Sequence, residues 1–129
     1  MRQCLYISTA VEPSERRVDD ILEVARRKNV ENGITGVLLF NGRNFMQLIE
    51  GLERDLRDLL GSLADDPRHT GMSLLADRKI AARDCPDWAM NFMRFGTTNS
   101  DRRTLIAQQL PASLDGSMRD TMLNFSNLG

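Results

Sequence analysis

The stretch ITGVLLFNGRNFMQLIE, residues 34–50, decides the fold, because two apolar runs flank the dipeptide Asn41-Gly42. Asn-Gly suits a two-residue hairpin turn with positive φ at both central positions. It predicts antiparallel pairing of residues 34–40 with 43–50. Upstream, residues 2–8 read as a strand with Cys4, Tyr6 and Ser8 on one face and Leu5 and Ile7 on the other. Ser14 is placed to cap a helix running from about residue 15 to 29, where Val18, Ile21, Leu22 and Ala25 form one buried stripe. That helix should stop near Asn32-Gly33, since glycine accepts the left-handed conformation that ends helices. Downstream, leucines at 52, 56, 59, 60 and 63 repeat at helical spacing, and Asp65-Asp66-Pro67 ends the segment. Residues 72–82 and 89–95 read as two further strands around a turn-like stretch containing Pro86.

This order gives an α+β fold: a ferredoxin-like βαββαββ arrangement with a five-stranded mixed sheet and both helices on one face. Leu5, Ile7, Met46 and Leu48 then point away from those helices and need apolar cover. The tail after Gly96 offers two amphipathic segments, one with Leu105, Ile106 and Leu110, one with Met118, Met122 and Phe125, separated by Pro111. These helices, or a second subunit, are the expected cover. The expected division is residues 1–96 as the main domain and 97–129 as a helical extension.

A chain of 129 residues with 41% hydrophobic content suits a single domain with a real core. Seventeen basic against 18 acidic residues, a formal charge of -1, provide no field to attract nucleic acid or an anionic membrane. No apolar run approaches the roughly 20 residues of a membrane-spanning helix. Cys4 and Cys85 lack a CxxC partner and a secretory leader, so both read as reduced thiols of a cytoplasmic protein, and neither as a metal ligand. His69 is the sole histidine, and no nucleophile, base and metal set stands out, which leaves an enzyme poorly supported. The glycines of Gly33-Ile34-Thr35-Gly36 open a strand rather than a helix, so they offer no helix N-terminus to a phosphate.

One residue breaks the apolar pattern. Gln47 sits among Phe45, Met46, Leu48 and Ile49, where an unpaired buried amide costs about 1–3 kcal/mol. Tyr6 can supply the partner if the first strand neighbours the hairpin, because its hydroxyl both donates and accepts. Asn29, at the end of the first helix, is a third candidate. Spacing alone favours ordinary satisfied polar groups at all three positions.

Resemblance changes that weighing. The segments Leu5-Tyr6-Ile7-Ser8, Asn32-Gly33-Ile34-Thr35-Gly36-Val37-Leu38-Leu39, Phe45-Met46-Gln47-Leu48-Ile49-Glu50-Gly51, Asp66-Pro67-Arg68-His69 and Trp88-Ala89-Met90 resemble the BLUF blue-light photoreceptors, in that order. The resemblance spans residues 2 to 95. It implies a noncovalent flavin, FAD or FMN, between the two helices above the sheet, with Ile21 and Leu63 lining the ring faces. It matches Gln47 to the glutamine at the flavin N5 and O4 edge, Tyr6 to the tyrosine bonded to that glutamine, and Asn29, rather than nearby Asn32, to the asparagine at the ring's polar edge. Light would then move an electron and a proton from Tyr6 toward the flavin through Gln47, leaving a rearranged hydrogen-bond pattern and a red-shifted flavin. Arg68 and His69 become candidates for the phosphate tail, with a solvated charged face as the competing role. Trp88 and Met90 become candidates for signalling, with core packing as theirs. The implied partners are a homo-oligomer and a downstream protein of unknown identity. The alternatives are a flavin protein whose photochemistry is lost or incidental, and a cofactor-free ferredoxin-like interaction module working through its apolar sheet face.

Overall fold

The structure, a computed structural model, describes residues 1–85, 91–94 and 99–128. Its elements run β1 (Arg2–Ala10), α1 (Glu15–Glu31), β2 (Thr35–Phe40), β3 (Asn44–Gly51), α2 (Glu53–Ala64), β4 (His69–Lys79), β5 (Asn91–Arg94), α3 (Asn99–Gln109), α4 (Gly116–Asn124) and a closing 3₁₀ turn (Phe125–Asn127). The strands form one mixed sheet in the order β4-β1-β3-β2-β5. Only the β2/β5 pairing is parallel among these strands. The ferredoxin-like arrangement with an added strand is therefore the observed architecture.

Local chemistry accounts for the element ends. Ser14 is extended, and its hydroxyl accepts from the Arg17 N–H at 3.1 Å, capping α1. At the other end Gly33 takes φ 65°. The hairpin departs from expectation by one position. Phe40 pairs with Phe45, Asn41 N–H donates to Asn44 O at 3.2 Å, and the turn centres on Gly42 and Arg43. The cause is the Asn41 side chain, whose Oδ1 accepts from the N–H groups of Arg43 (3.0 Å) and Asn44 (2.7 Å). This local ring competes with the Asn-Gly turn and leaves positive φ at Gly42 alone. β4 starts at His69, earlier than its irregular pattern suggests, and is held there by antiparallel pairing with β1.

Both faces of the sheet are packed. On one, Cys4, Leu38, Phe40, Phe45 and Ile49 meet Val18 of α1 and Leu56 of α2. On the other, Leu5, Val37, Leu39, Met46 and Leu48 meet Ile106, Leu110, Leu114, Met118, Met122 and Phe125. The tail helices thus cover the second face within the chain. Leu105 is not part of that cover: it is 42% exposed, since Ile106 and Leu110, four apart, already define the buried stripe of α3. The tail is also pinned by polar contacts. Asp115 caps α4 by accepting from Ser117 and Met118 N–H, and Arg78 of β4 pairs with it at 3.3 Å. Leu128 O accepts from Arg102 (2.9 Å) and from Asn41 (3.2 Å).

Candidate functional site

β1 and β3 are neighbours, and their register sets Tyr6 directly opposite Gln47, with Leu38 of β2 on the far side of Gln47. Residues opposed across antiparallel strands point to the same face. Tyr6 and Gln47 therefore rise together from the sheet toward α1 and α2. The Tyr6 hydroxyl donates to Gln47 Oε1, and both residues are 3% exposed. With Oε1 turned to the phenol, the amide NH₂ lies on the opposite edge of the side chain. Burial raises the Tyr6 pKa above the ordinary phenol value, and the charge of Asp66 pushes it in the same direction. Both effects favour the neutral, hydrogen-donating phenol.

Above this pair lies a cavity of about 340 Å³ between α1, α2 and the sheet. That size is within the range of small-molecule sites. Tyr6 and Gln47 lie on its sheet side beside Leu38 and Phe45; Ile21, Val24, Ala25, Lys28 and Asn29 come from α1, and Asp55, Asp58, Leu59, Ser62 and Leu63 from α2. Apolar side chains, the buried amide and phenol, and charged residues that include Lys28, Asp58 and Arg68 together suit a flat heteroaromatic ring that has a polar edge. Both asparagines line the cavity, and they differ in burial. Asn29 is 1% exposed, whereas Asn32 is exposed at the helix end and its Nδ2 donates to Lys28 O at 2.9 Å.

The sequence-derived candidates Tyr6, Ile21, Asn29, Gln47, Leu63, Arg68 and His69 all line this one cavity. Arg68 and His69 do so in unanticipated company. The Arg68 guanidinium grips Asp66, with Nη2 at 2.6 Å from Oδ2 and Nε at 3.0 Å from Oδ1. His69 Nε2 contacts the Leu63 carbonyl at the end of α2, and its ring centroid lies 6.5 Å from that of Tyr6. Trp88 and Met90 lie outside the described residues. Pattern reading missed Val24, Leu38, Phe45 and Ser62 as cavity lining. The signal was present for Val24, which continues the α1 stripe.

The Asp66 and Arg68 pair makes a pH prediction. Hydrogen bonds from the Arg68 side chain, opposed in part by burial, lower the Asp66 pKa from 3.8. The pair's stabilisation is then fully present above the unfolded-state pKa and fades as pH falls through the lower folded value. Arg68→Ala is expected to return the Asp66 titration, followed by carboxyl NMR, toward 3.8. An unmoved titration would reject the pairing.

Among the described residues no group of three metal-ligating side chains comes together, and no helix is long and apolar enough to cross a membrane. Cys4 and Cys85 are free and buried.

Comparison with known proteins agrees with this geometry. Residues 1–91 match the BLUF family, described as sensors of blue-light using FAD. The blue light- and temperature-regulated antirepressor BluF of Escherichia coli K12 is 36% identical over 69 residues, covering 53% of this chain and 17% of that protein. The dark-state structure of BlrB, a BLUF protein, has TM-score 0.76 and 28% identity over 98% of this chain and 93% of its own. Klebsiella pneumoniae BlrP1, solved with FMN and cyclic diGMP, has TM-score 0.84 and 26% identity, covering 99% of this chain and 35% of that one. Blue-light sensing through a noncovalently bound flavin is thus favoured over a cofactor-free interaction module. The chain belongs to the BLUF family of blue-light sensors that use FAD.

Proposed function

We propose that this chain is a blue-light switch whose moving part is the Tyr6 and Gln47 pair. The direct hydrogen bond between these two buried side chains, beneath a ring-sized cavity, is the observation that carries the reading. Asn29 would hold the polar edge of the flavin, and Ile21 and Leu63, which line the same cavity, would contact its faces. When bound, the flavin supplies blue-light absorption and a strongly oxidising excited state. Tyr6 serves as the donor of an electron and its hydroxyl proton. Gln47 relays between Tyr6 and the ring edge, since a neutral amide carries a donor and an acceptor on one reorientable head. Rotation of that head exchanges Oε1 for NH₂ at the phenol, so Tyr6 turns from donor to acceptor there. The electron and the proton would then return to Tyr6, so that the net outcome is a changed bonding pattern on β3 with no covalent product.

Residues 1–96 act as the sensor and 97–129 as its helical cover. The chain signals to a partner protein rather than catalysing a reaction, works as a homo-oligomer, and resides in the cytoplasm, where Cys4 and Cys85 stay reduced. The matched relatives support signalling to effectors, although this chain spans only 17% of the antirepressor.

Absorption spectroscopy tests the proposal. Protein purified from flavin-replete cells is expected to be yellow, to red-shift under blue light and to return thermally in the dark. A colourless protein that no flavin restores would overturn it.

A further inference from the structure

Glu50 ends the strand that carries Gln47, yet it faces away from the cavity and is fully buried. A buried carboxylate requires several donors. Its Oε2 accepts from the Asp84 N–H and from Gln3 Nε2, both at 2.8 Å, and its Oε1 accepts from the Cys85 N–H at 2.8 Å. Gln3 Nε2 also donates to the Asp84 carboxylate at 2.7 Å, and both Gln3 and Cys85 are fully buried. Among the described residues Gln3 Oε1 has no partner, so the two charge-assisted bonds on its nitrogen set the amide's orientation. Arg83, next in line, donates to Gly33 O (2.6 Å), Thr35 Oγ1 (2.9 Å) and Glu50 O (3.0 Å).

Three consecutive residues, 83–85, thereby touch β1, β2, β3 and the turn that follows α1. Gln3 lies three residues before Tyr6, Glu50 three after Gln47, and Gly33 four after Asn29. The same strap reaches the other side of the protein: Ser113, in the connection between α3 and α4, donates to Asp84 Oδ1 at 2.7 Å. We propose that residues 83–85, seated on the Glu50 carboxylate, are the positioning strap that couples the Tyr6, Gln47 and Asn29 site to the C-terminal helices. The proposal rests on the light-switch reading above. A displacement of β1, β3 or the end of α1 moves at least one anchor of the strap, and Asp84 transmits that movement to Ser113.

Hydrogen exchange of the full chain, lit against dark, tests this with the flavin absorption shift recorded on the same samples. Wild type is expected to show a light-dependent change in exchange across residues 110–115. Glu50→Gln replaces one acceptor oxygen by an NH₂ that faces a backbone N–H. It is expected to keep the red shift and lose the lit-minus-dark difference. Ser113→Ala leaves the Glu50 seat intact, removes one exposed hydroxyl that folding does not require, and is expected to lose the difference as well. A uniform loss of stability would raise exchange equally in both states and leave the difference in place. Retention of the full difference in Ser113→Ala, or no difference in wild type despite a normal red shift, overturns the strap. Absence of the red shift in wild type overturns the light-switch reading, and the strap falls with it.

Discussion

Replacing Gln47 by leucine is expected to abolish the blue-light red shift while flavin remains bound. Leucine fills much of the same volume beside Leu38 and Phe45, and the cavity walls supplied by α1 and α2 are untouched. The amide is lost, and with it the group that accepts the Tyr6 hydroxyl and carries a donor on its opposite edge. Leaving the Tyr6 hydroxyl buried without its partner also costs about 1–3 kcal/mol, visible as a lower melting temperature. Tyr6→Phe removes the other half of the pair and is expected to silence the same absorption change. Because the residues are in contact, the stability losses of the two single variants should exceed that of the double variant in their sum. A red shift of wild-type size in Gln47→Leu rejects the assigned role. Additive stability losses reject the hydrogen bond.

The Tyr6 and Gln47 contact was legible because its determinants are local. Period-two alternation puts Tyr6 on one face of β1, and an Asn-Gly signal between apolar runs brings Gln47 onto the adjoining pair of strands. A single amide in an apolar strand then demands a partner, and Tyr6 is the residue opposite. The exact turn was not legible, since the Asn41 side chain folds onto its own backbone and shifts the centre to Gly42 and Arg43. The strand pairing survives the shift with every side chain on its expected face, because Phe40 meets Phe45 instead of Arg43, a change of two residues. Asn29 was preferred to Asn32 on resemblance, and the structure adds a difference in burial: α1 runs two residues past Asn29, which turns Asn32 into an exposed cap.

The Glu50 seat could not be anticipated. Its partners Gln3, Asp84 and Cys85 lie between 34 and 47 residues away in sequence. A glutamate at the end of a strand ordinarily reaches solvent, and no periodicity marks the one that does not. The engagement of Arg68 by Asp66 is similarly a matter of loop geometry after α2 rather than of residue pattern.

Gly36→Ala is expected to cost more than 4 kcal/mol of stability, at the exceptional end of single substitutions, and to yield protein without bound flavin. Gly36 opens β2 at φ 156°, a conformation that side-chain-bearing residues rarely adopt. Space is the harder constraint. A Cβ there would lie 1.8 Å from Leu48 O and 2.9 Å from Leu48 C, backbone atoms of the paired strand that cannot rotate away. Relief requires β2 to separate from β3 where Gly36 faces Ile49, one pair along from Val37 and Leu48 and two from Leu38 and Gln47. Both cores depend on that contact, since Leu38 and Ile49 pack toward α1 and α2 while Val37 and Leu48 pack toward α3 and α4. Gly42→Ala supplies the contrast: its φ of 92° imposes strain, but nothing lies within 4 Å of the added Cβ, so its loss should be far smaller. Urea unfolding of the two variants with flavin retention as a second readout decides the matter. A Gly36→Ala midpoint equal to or above that of Gly42→Ala would mean that β2 and β3 do not approach at this pair, and the register that sets Leu38 opposite Gln47 would lose its support.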